Sequence, residues 1–337
     1  MSAARTRRDF LRGLAGRAAG LGAAFRAVRP GQADEGWKMQ YRRLGRTGLM
    51  FSEVSLGGHY DGPGHQEKNA KAQEMRNAVV DRALELGVTF FDTNYDYERE
   101  QLGIALEGKR ERIYLASDVN NDPELDREST RQNILRQINE HLGMLRTEYV
   151  DLFRFMSGFE LPSDEQLEGA MDAFKQLKAD GKARFFAMSH HEPEGWVPLL
   201  RKRDDIDVCY VPFSYITPKA AEEMLPLARE RDVGVICIKP FAKGTLFKIP
   251  EDDEKLAGLR RDRGQSLARA NLKWILSHEG VTTVIPGMEL PDEVEDCVRA
   301  SGDSRVSDAE RAALEAAKPH VLAALPDEYG WLSKWRA

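Results

Sequence analysis

Short apolar runs rich in β-branched and aromatic residues alternate with longer amphipathic segments along the chain from Tyr41 onward. Eight of these runs are candidate strands, at residues 53–56, 88–92, 113–117, 150–155, 184–189, 208–212, 234–239 and 283–286. The longer segments repeat their apolar residues at intervals of three and four, which is typical of helices with one buried face. Clear examples lie at 72–86, 131–145, 164–180, 219–231 and 265–278. The alternation predicts βαβ units and a parallel sheet.

The number of strand–helix repeats favours a closed barrel. Eight repeats over roughly 270 residues match the usual size of a (β/α)8 TIM barrel, whereas a doubly wound sheet usually ends at about five or six strands. No GxGxxG motif follows the first strand and no GxxxxGK[ST] motif occurs, so we expect neither a Rossmann nucleotide site nor a phosphate loop. We therefore predict an α/β barrel with its chemistry at the carboxyl ends of the strands.

The first 37 residues differ in kind from the rest of the chain. Arg7-Arg8-Asp9-Phe10-Leu11 is followed by a stretch rich in Ala and Gly at 13–28. This arrangement resembles a twin-arginine export signal, which carries folded proteins across a membrane and predicts a periplasmic or exported protein. Arg17 and Arg26 interrupt the apolar stretch and favour the alternative, a basic tail on a cytoplasmic protein.

The composition predicts a protein with a large core and gives no sign of a nucleic-acid partner, a membrane span or a cysteine-bound metal. A hydrophobic content of 42% in 337 residues is enough for a large core, and the formal net charge of -6 gives no electrostatic reason to expect nucleic acid. No apolar run approaches the ~20 residues that cross a bilayer, so we expect no membrane span in the mature chain. Cys209, Cys237 and Cys297 lack the CxxC spacing of zinc and iron–sulfur sites, which predicts buried thiols. The oligomeric state stays open.

Five segments, in order along the chain, resemble motifs of the aldo-keto reductase family. They are the opening hairpin and first strand at 41–58, Phe91-Asp92-Thr93 with Tyr97 and Leu102-Gly103-Ile104-Ala105-Leu106, the fourth strand at 149–153, Ala187-Met188-Ser189-His190, and Val284-Ile285-Pro286-Gly287. The resemblance implies a barrel at 38–320 with a tail, 321–337, folded over its mouth. It also implies NAD(P)-dependent reduction or oxidation of a small carbonyl compound, polyol or sugar-like alcohol.

The catalytic residues of that family are only partly present. In the family a Tyr donates a proton to the carbonyl oxygen while the nucleotide delivers hydride, and a Lys paired with an Asp lowers the Tyr pKa from about 10. The resemblance places the Asp at Asp92 and the Tyr at Tyr97. The Lys position holds Asp118, and the His position after the fourth strand holds Met156.

Replacing a cation by a carboxylate reverses the electrostatic help to Tyr97. We expect Asp92 and Asp118 to repel each other unless one of them holds a proton or a cation lies between them. We also expect Asp118→Lys to restore or raise carbonyl reduction.

Two further residues at strand ends are candidates to replace the missing groups. Lys239 ends the seventh strand and could restore a positive charge near Tyr97 or bind a phosphate. His59 follows the first strand and could donate a hydrogen bond to the substrate oxygen. The alternative for both is a structural or surface role. A metal site of His59, Asp92, Asp118 and His190 has suitable ligand types but no supporting spacing, so we expect no metal.

The nucleotide contacts implied by the resemblance are eroded as well. They fall on Ser189, His190, Tyr210, Pro286, Gly287 and Met288. Glu289, together with Asp292 and Glu293, makes the corner after the eighth strand acidic, which would repel a 2′-phosphate. NAD or no nucleotide is therefore favoured over NADP, although acidic residues at a helix start are also ordinary caps.

Three hypotheses follow. The first is an aldo-keto reductase-like oxidoreductase with Tyr97 as the acid/base. The second is a non-redox enzyme that uses Asp92 and Asp118 for proton transfer on a polyol or sugar, and the third is a non-catalytic ligand-binding barrel. The tail, with Trp331 and Trp335, is where we expect any aromatic contact with a substrate.

Overall fold

The computed structural model describes residues 37–60, 64–248 and 266–335. The predicted export signal lies outside these ranges apart from Trp37. The strands within them are β1 Tyr41–Arg43, β2 Met50–Ser52, β3 Phe90–Phe91, β4 Tyr114–Asn120, β5 Val150–Gly158, β6 Ala183–His190, β7 Val208–Pro212, β8 Gly234–Ile238 and β9 Thr283–Val284. The α-helices within them are α1 Ala70–Glu85, α2 Asp96–Ala105, α3 Arg127–Met144, α4 Asp164–Ala179, α5 Pro193–Lys202, α6 Met224–Glu230, α7 Leu267–Leu276, α8 Pro291–Val298 and α9 Asp308–Ala323.

Strands β3 to β9 form one parallel sheet in chain order. Residues 54–57 join both edges of that sheet, because Val54 bridges Val284 and Leu56 bridges Phe91. This segment is the eighth member of a closed ring, since a strand that pairs with both edges leaves none exposed. The predicted (β/α)8 barrel is confirmed.

Two cores hold the barrel, one inside the ring of strands and one between the ring and the helices. Along β5, Phe153 and Phe155 belong to the outer core, whereas Leu152 belongs to the inner one. Because successive strand residues point to opposite faces, Arg154 points inward like Leu152. Phe51 of the β1–β2 hairpin stacks on Phe90 with ring centroids 4.5 Å apart, which covers the amino end of the barrel. The carboxyl end is left for polar chemistry.

Local signals explain where the helices begin. The side chain of Asn69 accepts the backbone N–H of Ala72 at 2.9 Å ahead of α1, and that of Asp126 accepts the N–H of Ser129 at 2.8 Å ahead of α3. Each cap satisfies a backbone donor that has no partner within its helix. The helices predicted at 72–86, 131–145 and 164–180 correspond to α1, α3 and α4. The prediction at 265–278 corresponds to α7, with residue 265 outside the described ranges.

The prediction of one continuous helix at 219–231 is wrong. The structure has a 3-10 turn at Lys219–Ala221, and α6 begins only at Met224. Pro226 explains the break, because proline has no N–H to donate to the carbonyl of Glu222 and its ring would clash there. Pro226 therefore lies in the first turn of α6, where such a hydrogen bond is not required.

Cys209, Cys237 and Cys297 are buried and free, as predicted. Helix α9 continues to Ala323, so the helix runs past the boundary expected at residue 320. None of the helices in the described ranges is long and apolar enough to cross a membrane.

Candidate active site

The floor of the barrel mouth is a buried group of ionic side chains. Asp92 follows β3, Asp118 lies in β4 and Arg154 in β5, and each is 2% exposed. Arg154 Nη1 donates to Asp92 Oδ2 at 2.8 Å, and its Nη2 is 3.5 Å from Asp118 Oδ1. A cation therefore lies between the two carboxylates, which is one of the two arrangements expected from their mutual repulsion.

Sequence reasoning missed Arg154. Its signal is an arginine at an inward position of β5, between the outward Phe153 and Phe155. A buried guanidinium needs acidic partners, so this pattern could have pointed to Asp92 and Asp118.

A second guanidinium completes the charge balance. Arg99 of α2 donates from Nη2 to Asp118 Oδ1 at 2.7 Å and from Nη1 to Asp96 at 2.9 Å. Tyr210 of β7 lies on the other side of the floor, where its hydroxyl donates to Asp92 Oδ1 at 3.3 Å. The guanidinium of Arg154 lies 4.6 Å from the centre of the Tyr210 ring. Each of the two carboxylates thus has hydrogen-bond donors within the protein: Arg154 and Tyr210 for Asp92, and Arg99 for Asp118.

Burial dominates the ionisation of this floor. It raises the pKa of Asp92 to about 7, with the charges of Asp118 and Glu98 adding to the effect and Arg154 opposing it. Burial would lower the pKa of Arg154, but the carboxylates of Asp92 and Asp118 outweigh it and raise that pKa above its ordinary value. Arg154 stays charged across the physiological range.

Tyr97 lies above the floor, in the first turn of α2, and is partly exposed. Its hydroxyl donates to the backbone carbonyl of Tyr60 at 3.2 Å and lies 3.4 Å from Glu98 Oε1. Glu98 is buried, and burial raises its pKa although backbone N–H groups of Asn94 and His59 stabilise the carboxylate. Because Glu98 contacts both the Tyr97 hydroxyl and the His59 backbone, it belongs to the site, and the sequence analysis did not identify it.

His59 and two tyrosines form a partly exposed row beside the mouth. His59 has a left-handed backbone with φ of 59°, and its N–H donates to Glu98 Oε1 at 2.5 Å. Its ring meets the Tyr95 ring edge-on, with centroids 5.0 Å apart. Tyr95 in turn stacks on Tyr97 at 5.6 Å. The row brings the predicted His59 to the same side of the mouth as Tyr97.

Lys239 directly follows β8, in a left-handed conformation with φ of 53°. Its ammonium lies 5.4 Å from the ring centre of Tyr329, in the segment after α9. Burial lowers the pKa of Lys239 to about 8, and the charges of Lys243 and Arg154 add to the effect. The structure thus places Lys239 at the mouth, against the tail.

The segment after α9 reaches the ends of two barrel strands. Trp331 stacks on His191 with ring centroids 4.9 Å apart and meets Phe159 edge-on at 4.8 Å. Burial lowers the pKa of His191 to about 3, with the charge of Lys239 adding to it, and the ring is neutral. Its Nδ1 is buried and has no hydrogen-bond partner among the described residues. The side chain of Trp335 lies outside the described part of the chain.

The residues expected to contact a nucleotide at β6 and β7 are buried. Ser189 and His190 end β6, and the Oγ of Ser157 lies 3.0 Å from His190 Nδ1. Burial lowers the pKa of His190 to about 4, so this ring is neutral as well. Tyr210 is fully buried, with its hydroxyl on Asp92.

The turn after β9 packs closely against residues 54–57. The N–H of Gly57 donates to the carbonyl of Pro286 at 2.9 Å, and a Cβ on Gly57 would lie 2.6 Å from the carbonyl oxygen of Ile285. Met288 is buried, while Gly287 is exposed. The family-like glycine at 57 is required by this close approach of two backbones.

The acidic corner that follows is partly a helix cap. Glu293 Oε2 accepts the N–H of Glu289 at 2.8 Å, ahead of α8, so the capping interpretation is confirmed for Glu293. The carboxylate of Glu289 lies 3.7 Å from His65 Nε2.

Met156 lies in β5, where it pairs with Asn120 and Ser189 and offers a thioether instead of an imidazole. Among the described residues no group of three His, Cys, Asp or Glu side chains could hold a metal ion. A guanidinium lies between the two carboxylates that such a site would have used.

The chain is similar in sequence to known oxidoreductases. A family model described as the aldo/keto reductase family matches residues 54–318. The uncharacterized oxidoreductase YqkF of Bacillus subtilis is 26% identical over 307 residues, which cover 82% of this chain and 96% of that protein. The L-glyceraldehyde 3-phosphate reductase of Escherichia coli K12 is 24% identical, with coverage of 82% and 92%.

Solved structures match along most of their length. An aldo-keto reductase from Bacillus halodurans in its holo form superposes with a TM-score of 0.65 at 26% identity, covering 86% of this chain and 99% of that one. An aldo-keto reductase from Klebsiella pneumoniae in complex with NADPH has a TM-score of 0.66 at 22% identity, with coverage of 84% and 96%. At that identity the second match shows the fold alone.

Proposed function

The chain belongs to the aldo/keto reductase family, and on that premise we propose that it is a nicotinamide nucleotide-dependent oxidoreductase acting on a small carbonyl compound or sugar-like alcohol. Tyr97 is its acid/base. The observation that carries this proposal is the contrast in accessibility at the mouth. Tyr97 is partly exposed, whereas Asp92 and Asp118 are buried and ion-paired.

The same contrast weighs against proton transfer by the two carboxylates. A general acid or base must reach its substrate within hydrogen-bond distance, or through one water. Asp92 binds Arg154 and Tyr210, and Asp118 binds Arg99. Using either one on a substrate would require these buried contacts to break.

A nucleotide would find suitable groups at the end of β6. The buried Nδ1 of the neutral His191 has no hydrogen-bond partner among the described residues, so an amide N–H donor would satisfy it. Ser189, His190 and the exposed Gly287 are the other residues that would hold the cofactor. When bound, the nicotinamide supplies hydride to the carbonyl carbon, and Tyr97 protonates the carbonyl oxygen.

The charge at the corner after β9 supports a preference for NAD over NADP. Glu289 is partly exposed at the corner after β9 and would repel a 2′-phosphate. We expect NADH to bind more tightly than NADPH, although one solved neighbour is described as bound to NADPH. Calorimetry tests this preference by giving the dissociation constants of NADH and NADPH. Glu289→Gln should reduce the preference for NADH, because it removes the negative charge near the 2′-phosphate.

The experiment that tests the function combines binding with turnover. NADH and NADPH are titrated by calorimetry, and nucleotide oxidation is followed with a panel of small aldehydes and ketoses. Tyr97→Phe should lower kcat by about 100-fold or more, because it removes the proton donor but keeps the ring. Tyr149→Phe is the matched control, since Tyr149 precedes β5 at the opposite end of the barrel. Binding of neither nucleotide would refute the proposal.

A second candidate is a barrel that captures a ligand without turning it over. It is favoured by one observation: the family's lysine position holds Asp118, whose carboxylate is bound by Arg99. Tight binding of a carbonyl compound or polyol with no nucleotide oxidation would select this candidate.

A further inference from the structure

One buried guanidinium contacts three consecutive residues. Arg154 donates from Nη1 to Asp92 Oδ2 at 2.8 Å, and from Nη2 to the carbonyl of Thr93 at 3.2 Å and to Asn94 Oδ1 at 2.5 Å. These residues form the turn between β3 and α2. A planar fork with several donors can hold such a turn in one geometry, which the single ammonium of a lysine cannot do.

The turn leads directly to Tyr97. The backbone N–H of Asn94 donates to Glu98 Oε2 at 2.7 Å, and the N–H of Tyr95 lies 3.3 Å from the same oxygen. The other oxygen of Glu98 lies 3.4 Å from the Tyr97 hydroxyl. A continuous set of hydrogen bonds therefore runs from Arg154 through Asn94 and Glu98 to the phenol.

Asp118 has a defined part in this arrangement. It is the direct cross-strand partner of Arg154, with β4 and β5 in register at these two residues. Its carboxylate lies 3.5 Å from Arg154 Nη2 and accepts from Arg99 at 2.7 Å. Without Asp118, Arg154 would keep Asp92 and Arg99 would keep only the exposed Asp96, so two buried cations would share one buried carboxylate, which is costly.

We propose that Arg154 is the positioning residue of this site, holding the 92–94 turn so that Tyr97 faces the substrate, with Asp118 as its counter-ion. The cation that pairs with Asp92 therefore comes from β5, whereas the resemblance to the family places it in β4, at the position of Asp118. This inference rests on the proposed function for its effect on turnover. The holding of the turn can be tested without any turnover.

The test uses Arg154→Lys, which keeps the charge and loses the fork. We expect kcat to fall by about 100-fold, as a small misplacement of a reacting group does, with KM and the NADH dissociation constant within about twofold of the wild type. Hydrogen exchange of the Asn94 and Tyr95 amides should become about tenfold faster or more, because their turn is no longer held.

Arg110→Lys is the matched control. Like Arg154, Arg110 binds a carboxylate and backbone oxygen, but at the amino ends of the strands. It donates to the carboxylate of Asp151 and to the backbone carbonyls of Ile113 and Tyr149. It should leave kcat and the exchange at Asn94 unchanged. Thermal melting of both variants shows that they are folded.

The double variant Arg154→Gln/Asp118→Asn removes one buried cation and one buried carboxylate together, so the net charge of the site is unchanged, and it is the second test should Arg154→Lys not fold. It should show the same fast exchange at Asn94. Unchanged exchange and unchanged kcat in a folded Arg154→Lys protein would overturn the inference. Fast exchange in a protein that neither binds nucleotide nor turns over would uphold the positioning of the turn and refute the proposed function.

Discussion

At the scale of single residues, the substitution of Asp118 for the family's lysine is compensated by its neighbours. Arg154 and Arg99 both reach Asp118, so the carboxylate lies where an added cation would be repelled. The sequence suggested that Asp118→Lys would restore carbonyl reduction. The structure gives an argument against that expectation, because a lysine at position 118 would face two buried guanidinium groups.

We therefore predict that Asp118→Lys destabilises the protein. An uncompensated buried charge typically costs about 3–5 kcal/mol, and a lysine in place of Asp118 creates one. The free energy of unfolding from urea titration measures the loss. The double variant Asp118→Lys/Arg154→Gln should recover part of the stability, because one opposing cation is removed. Equal destabilisation of the two variants would contradict this account.

Lys239 gives a prediction about pH. Its pKa is about 8 in the folded protein against 10.5 for an ordinary lysine, chiefly because of burial. The unfolded chain binds more protons between these two values, so the contribution of Lys239 to stability rises with pH across that window. Below pH 8 Lys239 is charged and buried, and its full destabilising effect on the folded protein is present.

Lys239→Met should therefore melt at a higher temperature than the wild type at pH 7, and the difference should shrink toward pH 10.5. Melting curves at several pH values measure it. Lys248→Met, at an exposed position, should show no such dependence. A difference that is the same at pH 7 and at pH 10.5 would show that Lys239 is not desolvated.

At the scale of elements, close approaches between backbones determine where glycine is needed. Gly103 of α2 faces the end of α3, and a Cβ there would overlap the carbonyl oxygen of Met144. Gly143 lies in α3 with nothing within 4 Å of such a Cβ. One glycine is thus required by packing, while the other only weakens its helix.

The two positions predict opposite effects. Gly103→Ala should destabilise the protein, because α2 and α3 must separate, and α2 carries Tyr97 and Arg99. Gly143→Ala should stabilise it by up to about 1 kcal/mol, the difference in helix propensity. Chemical denaturation of the two variants measures both changes in the free energy of unfolding, a decrease for Gly103→Ala and an increase for Gly143→Ala. Stabilisation by Gly103→Ala would mean that the helices adapt without strain.

At the scale of the whole molecule, the N-terminal segment and the barrel raise separate questions. The proposal that Arg7-Arg8 belongs to an export signal concerns residues outside the described ranges. It bears on function, because an exported oxidoreductase must retain its nucleotide or regenerate it where free nucleotide is scarce.

The full chain, expressed in a bacterium with a twin-arginine pathway, should be found in the periplasmic fraction. Arg7→Lys/Arg8→Lys should keep it in the cytoplasm, because the paired arginines are what that pathway recognises. Arg17→Lys/Arg26→Lys preserves the same net charge and should leave export unchanged. Cytoplasmic retention of the unmutated chain would favour the basic-tail alternative.

The sequence by itself determined the barrel. Apolar runs and amphipathic segments are local patterns, and each of the eight candidate strands lies at a strand or bridge of the closed ring. Helix starts followed equally local caps, such as Asn69 and Asp126. The break in the helix predicted at 219–231 also has a local cause, Pro226.

Only the tertiary structure decided how the charges of the site are arranged. The ion pair of Asp92 with Arg154 joins residues 62 positions apart, and Tyr210 is 118 positions from Asp92. No local pattern encodes such contacts, because they depend on which inward positions of separate strands reach the same height in the barrel. The sequence required either a proton on one of the carboxylates Asp92 and Asp118 or a cation between them. Closing the ring determined that Arg154 is that cation.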